Sequence, residues 1–287
     1  MINYGDKMHK LVINEIITNG TLDSCPRAVY KDGEPANSVF ITPKLLSFDI
    51  MNNENPMITL RPIAWKSAIK EMLWIWQDQS NDLKLLREKY NIHWWNNWAL
   101  GDDTIGSCYG YTVRKHNLID NLLNDIKVNP FGRRHIASLW QEEDFKNPHA
   151  LKPCAFMIIC TPRDMHLDKN VLDMTLVIRS SDFCTAGVIN MIQYMALQYM
   201  IARHCDMIPG KFNCFIQNAH IYCRHLDAAK ELLKRKTIEC SPKLVLNPDK
   251  HNFYDITYTD FELIDYPLDK IKEINPQMSI FKDEIAI

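Results

Sequence analysis

The sequence predicts an α+β fold: a mixed β-sheet around a long buried helix, in one domain spanning residues 1–287. Three observations carry that expectation. Helix-period and strand-period segments are interspersed without a regular βαβ rhythm, which argues against a doubly wound parallel sheet. With nine glycines the chain contains no GxGxxG and no GxxxxGK, so no phosphate-binding loop opens a helix. The segment "GVINMIQYMALQYMIARHC", Gly187 to Cys205, is apolar nearly all round, as a helix enclosed by other elements must be. No repeat, low-complexity stretch or Pro/Gly/Ser-rich linker divides the chain.

In chain order, "MHKLVINEIITNG" reads as an amphipathic helix ended by Gly20, and "SVFITPKLLSFDI" as extended chain on both sides of Pro43. "WKSAIKEMLWIWQ" places Trp65, Ile69, Met72, Leu73 and Trp76 on one helical face. "NLIDNLLNDIKVNP" is a helix stopped before Pro130, because the residue before proline avoids the α region. "RRHIASLW", "CAFMIIC" and "VLDMTLVIRSS" are predicted strands; the long apolar helix follows. "KFNCFIQ" is a further strand and "RHLDAAKELLKRK" a solvated helix.

Composition narrows function. A net charge near −2 provides no global field for nucleic acid or an anionic membrane, so neither is expected as a partner. An anionic ligand would need a local arginine cluster. No apolar run reaches the ~18 residues of a membrane span, and "MINYGDKMHKLVINEI" lacks the layout of a signal peptide. Nine scattered cysteines without CxxC or Cys/His spacing imply reduced thiols, no zinc and a cytoplasmic location.

The chemistry-bearing residues are few. In "LKPCAFMIIC" Cys154 stands at the mouth of a strand, whereas Cys160 sits inside it. Cys154 is either a nucleophile or a small hydrophobe. Arg133 and Arg134 open one strand, where neighbours point to opposite faces, and Arg179 with Ser180 ends another. Guanidinium forks beside a hydroxyl suit a phosphate dianion; solvated strand ends are the alternative. Asn190 is a carboxamide near the start of the apolar helix, suited to a ring edge or to a local backbone bond. Glu71 interrupts "AIKEMLWIW" and is either a half-buried acid with a raised pKa or an exposed carboxylate.

The order "IKEMLW", "WWNNW", "SCYG", "RRHI…LW", "LKPC", "RSSD", Asn190 and "HIY" resembles that of the thymidylate synthase family, from about Leu11 to the terminal "EIAI". The resemblance implies one-carbon transfer from 5,10-methylenetetrahydrofolate to C5 of a pyrimidine nucleoside monophosphate, with no metal. It implies a homodimer, joined sheet to sheet, with shared active sites. Cys154 would add to C6 of the ring. Arg179 would contact phosphate and favour the thiolate, with Arg27 and Ser180 as further phosphate ligands. Arg133 and Arg134 would cross into the partner's site, so their opposed directions are no obstacle. Asn190 would read the pyrimidine edge, and His220 and Tyr222 the sugar. Glu71 and Tyr109 would move protons through a water network. Trp95, Asp182, the position of Ala186 and terminal Ile287 belong to the folate side.

The departures gather around this site. Ala155 follows the nucleophile where the family usually has His. In "FCTAGVIN" Ala186 replaces Gly, Val188 replaces Pro and Ile189 replaces Phe, and Gln217-Asn218 replaces Gly-Asp before "HIY". Losing bulky groups would let water reach the exocyclic methylene intermediate. The departures therefore lean towards a 5-hydroxymethylase of the CMP type, although Asn190 suits uracil as well as cytosine. A diverged thymidylate synthase and a non-catalytic nucleotide- or RNA-binding paralogue are the competing readings.

Overall fold

The structure, a computed structural model, describes residues 3–146 and 150–283. Among these, eleven strands form three sheets: β1 (Thr21–Asp23), β2 (Ser38–Ile41), β3 (Lys44–Asp49), β4 (Ile136–Ser138), β5 (Ala155–Arg163), β6 (Val171–Ile178), β7 (Ser181–Asp182), β8 (Ile208–Ile216), β9 (Ala219–Tyr222), β10 (Lys243–Leu246) and β11 (Phe261–Ile264). The largest sheet has the order β3-β8-β6-β5-β4. It is antiparallel except for the parallel pair β8/β6. A second has the order β1-β2-β9-β7, and β10 pairs with β11. The architecture is mixed α+β, as the interspersed periodicities predict. The helices that matter below are α1 (Tyr4–Asn19), α2 (Trp65–Trp76), α3 (Leu83–Tyr90), α4 (Gly110–Lys115), α5 (Leu118–Val128), α6 (Val188–His204) and α7 (Leu226–Lys234).

Alternation gives the five-stranded sheet two different faces. Leu46, Phe48, Ile158, Cys160, Met174, Leu176, Ile178, Phe212, Cys214 and Ile216 are buried on one side, where α6 packs across the sheet and α2 packs on α6. Each fully buried large side chain here contributes about 1.5–3 kcal/mol. Within this apolar helix, Gln198 donates to Leu172 O at 2.8 Å and Lys211 O at 3.1 Å, meeting two strand carbonyls at the β6/β8 junction. On the other side the register aligns Leu45, Phe215, Val177 and Met157 in one row, and Asn213, Thr175, Ile159 and Ile136 in the next. Leu45 and Ile136 are exposed and the rest are half-buried.

Three expectations are refined. The first helix starts at Tyr4 rather than near Met8, because Asn3 caps it by accepting from the Asp6 N–H at 2.9 Å. It ends at Gly20, where a Cβ would lie 2.3 Å from Ile16 O and 2.5 Å from a Val39 methyl. The extended stretch around Pro43 divides, β2 entering one sheet and β3 another. "RRHIASLW" forms strand only over Ile136–Ser138, so Arg133 and Arg134 precede the strand and its alternation does not govern them.

Candidate active site

Cys154 lies one residue before β5, at the strand's mouth, and is half-buried. Its main chain is held on both sides. The Cys154 N–H donates to the Tyr109 hydroxyl at 3.1 Å, and its carbonyl accepts from the Arg179 N–H at 2.9 Å. Arg179, just past β6, spends its side chain on the same loop. Nε donates to Pro153 O at 2.9 Å and Nη2 to Lys152 O at 2.8 Å, with the guanidinium 5.8 Å from the Trp140 ring centre. Burial pushes the Cys154 thiol up, against the lowering effect of Arg179 and then Arg27. The arginines act in the direction expected of them, favouring the thiolate, although burial outweighs them in the free protein. The other eight cysteines are free as well, and Cys160 is buried in the sheet.

Tyr109 stands at the N-terminus of α4 with φ 50° and ψ −115°, a conformation that costs a non-glycine residue on the order of 1–3 kcal/mol. The bond to Cys154 is what that geometry secures. Tyr109 also packs edge-on against Trp95 at 5.4 Å.

Glu71 projects from α2 and is buried. Burial raises its carboxyl to about 7, with Trp95, Gln193 and Trp94 each offsetting part of the rise. The Trp94 indole donates to Oε2 at 2.6 Å. The exposed-carboxylate alternative is therefore set aside. An acid with this pKa exchanges its proton readily near neutral pH. Trp94 and Gln193 were not singled out from the sequence. "WWNNW" offered three indoles without saying which would meet an acid, and Gln193 lay inside an apolar run.

Asn190 sits in the first turn of α6, half-buried, and its side chain makes no hydrogen bond among the described residues. The local backbone bond that sequence allowed is not made among the described residues. Before it runs a π-helical turn, Phe183–Gly187, a form concentrated at functional sites. Arg61 holds this turn from below. Its buried guanidinium donates to Cys184 O at 2.8 Å and Thr185 O at 3.3 Å. Nothing in the sequence pattern marked Arg61.

The short parallel pair β7/β9 sets Asp182 beside His220. Asp182 accepts from the Thr185 hydroxyl through Oδ2, while its Oδ1 is buried without a hydrogen-bond partner. His220 is buried, and Tyr222 lies edge-on to it at 5.0 Å. The Tyr222 hydroxyl is pushed up by burial and by the Asp182, Tyr30 and Cys154 charges, and pulled down by Arg27. Arg27, Cys154 and Asp182 thus lie within electrostatic reach of Tyr222. Ser180 is half-buried beside Arg179, and Ala186 is half-buried in the π-helical turn. Arg133 and Arg134 are exposed and their side chains make no bond or ion pair among the described residues. Ile287 lies outside the described residues. His116, Glu143 and Asp144 converge elsewhere, where the Lys115 ammonium already pairs with both carboxylates.

The profile of the family described as thymidylate synthase matches residues 7–280. The chain belongs to the thymidylate synthase family. It is 45% identical over 287 residues to the thymidylate synthase of Lactococcus lactis subsp. lactis, covering all of both chains. It is 47% identical over 285 residues to that of Streptococcus sanguinis, covering 98% of this chain and 99% of the relative. The solved structure of thermostable thymidylate synthase A from Bacillus subtilis superposes with a TM-score of 0.86 at 34% identity, covering 98% of this chain and 99% of that one. The fold is thus the thymidylate synthase fold, and the chain is a member of a family of folate-dependent transferases.

The lean towards a hydroxymethylase is not supported. Relatives at 45–48% identity carry the plain name thymidylate synthase. Geometry also removes much of its basis. Ala155 is 4% exposed and Val188 is fully buried, so these two replacements repack the interior rather than open the cleft to water. Of the other departures, Ala186, Ile189 and Asn218 are half-buried and Gln217 is exposed.

Proposed function

We propose that this protein converts dUMP to dTMP, with methylenetetrahydrofolate becoming dihydrofolate. The observation that carries the reading is a linked set: the loop-held Cys154 bonds through its N–H to Tyr109, Tyr109 packs on Trp95, and Trp95 acts on the buried acid Glu71, whose pKa lies near 7. Cys154 Sγ adds to C6 of the uracil ring, which makes C5 nucleophilic. Covalent addition divides one difficult substitution into easier steps. Burial works against the thiolate, so the Cys154 proton must pass to a base or to water before Sγ attacks. Glu71 and Tyr109 relay protons to and from the ring, including removal of the C5 proton after the new bond forms, and Cys154 is finally expelled from C6. Asn190 pairs its carboxamide with the ring edge. The relatives' name favours uracil over cytosine, between which a rotating amide does not choose.

Arg27, Arg179 and Ser180 are assigned to the phosphate, joined by Arg133 and Arg134 of a second copy across a homodimer interface. Two observations support that interface: the unpaired guanidinium groups and the Leu45–Phe215–Val177–Met157 row on the sheet's outer face. The folate supplies the one-carbon unit and then a hydride. Asp182 Oδ1, a buried acceptor without a donor among the described residues, fits the N–H groups of a pterin, and Trp95 and Ala186 are assigned to the same ligand. A reduced-thiol, cytoplasmic protein of one domain accords with nine free cysteines.

The experiment is to incubate the protein with methylenetetrahydrofolate and, separately, dUMP, dCMP, UMP and CMP, then weigh the nucleotide products and determine the oxidation state of the folate. Methylated dUMP with equimolar dihydrofolate is expected. A hydroxymethylated product with tetrahydrofolate, or a preference for a cytosine nucleotide, would overturn the proposal.

A further inference from the structure

His220 carries two ring nitrogens with different surroundings. Nδ1 lies 2.9 Å from Asn218 Oδ1, while Nε2 makes no hydrogen bond among the described residues. Asn218 is itself well rooted. Its carbonyl accepts from the Ser181 N–H at 2.9 Å, and the preceding Gln217 is tied through its N–H to Ile178 O at 2.8 Å and through Nε2 to Thr42 Oγ1 at 2.8 Å.

A neutral imidazole has one N–H, and the partner of one nitrogen decides the character of the other. A carbonyl oxygen only accepts, so Asn218 Oδ1 calls for the proton on Nδ1. We infer that Asn218 is a positioning residue that fixes His220 as the Nδ1–H tautomer, leaving Nε2 a bare acceptor for a donor hydroxyl on the ligand's sugar. The sugar assignment rests on the proposed function; the tautomer does not.

The residue type at 218 matters because an amide is neutral. Burial lowers the His220 pKa, against the Asp182 carboxylate on β7 and Asp23 on β1, with the neighbouring His225 reinforcing the lowering. A carboxylate at 218 would add a third negative group, directly on Nδ1, and favour the doubly protonated ring. Nε2 would then donate, and a sugar hydroxyl would have to meet it as acceptor. With the neutral Asn218 the ring gains no such added preference for the doubly protonated form.

The test uses the full protein with nitrogen-15 in its histidine rings. The His220 signals, identified by their loss in His220→Gln, should show a protonated Nδ1 and a bare Nε2 in ligand-free protein. Asn218→Ala should give mixed tautomers, and Asn218→Asp should move the ring's titration upwards by about one pH unit or more. Nucleotide affinity should become pH-dependent in Asn218→Asp, with KM rising several-fold towards acid and kcat changing less. The unaltered protein should bind dUMP about fivefold more tightly than its analogue lacking the free sugar hydroxyl, a preference reduced in Asn218→Ala. A protonated Nε2 in the unaltered protein, or an unshifted His220 titration in Asn218→Asp, would overturn the inference. The ring signals are read without substrate, so they decide the tautomer even where the product assay rejects dUMP methylation.

Discussion

Glu71 shows how one side chain sets stability against chemistry. Its folded pKa, about 7, lies above the ordinary carboxylate value. The protonated acid therefore suits the fold fully at pH below about 4.5, and that contribution is lost as pH rises through about 7. Glu71→Gln should accordingly be more stable than the unaltered protein at pH 8, by on the order of 2–3 kcal/mol, with the difference vanishing in acid. Its kcat should fall by roughly 10²–10⁴-fold if the acid relays protons. Denaturant unfolding at pH 8 and pH 4 beside a turnover assay checks both. Equal stability at both pH values would mean the carboxyl is not held at a raised pKa. The residue-level reading from sequence succeeded where a polar group broke an apolar pattern, as at Glu71 and Asn190. It failed at Arg61 and Trp94, whose partners come from distant parts of the chain: Arg61 bonds to carbonyls more than 120 positions away.

At the level of elements, the π-helical turn is the piece that sequence could not supply, since no periodicity announces a single wide turn ahead of α6. It is wedged between Arg61 and the α1 residue His9, whose ring stacks on Phe183 at 4.9 Å. His9 is buried with neither ring nitrogen paired. Burial, then the Arg61 charge, lowers its pKa to about 3. A folded value below the ordinary 6.5 means stability is intact above pH 6.5 and lost as pH falls from there towards 3. His9→Phe should keep the stacking contact and flatten that acid limb, by up to ~1.4 kcal/mol per pH unit. Unfolding free energies between pH 7 and pH 5 check it; an unchanged slope would place the acid sensitivity elsewhere. The long helices and the strands β5, β6 and β8 were legible because their burial pattern repeats along the chain. β4 was overextended because "RRHIASLW" alternates on paper, while the chain pairs with β5 over three residues only.

For the whole molecule, the fold was legible through ordered short motifs spread over nearly the full length. The lean towards hydroxymethylation found no support because replacements were counted without knowing which side chains are buried. The proposed shared sites have a direct consequence. Cys154→Ala and Arg134→Ala proteins should each be nearly inactive. After subunit exchange, half the dimers are mixed and each carries one site with neither defect, so about a quarter of full activity should return. Persistent inactivity after verified exchange would refute donation across the interface. The central claim, that the Cys154 sulfur attacks C6 while carbon is delivered to C5, is open to one direct measurement. A fluorine at C5 of dUMP cannot leave as a cation, so the reaction should stall after both bonds form. Intact mass should then rise by one nucleotide plus one folate, and peptide mapping should place the adduct on Cys154 in "LKPC", with none in Cys154→Ala. An adduct on another cysteine, or turnover without one, would contradict the account.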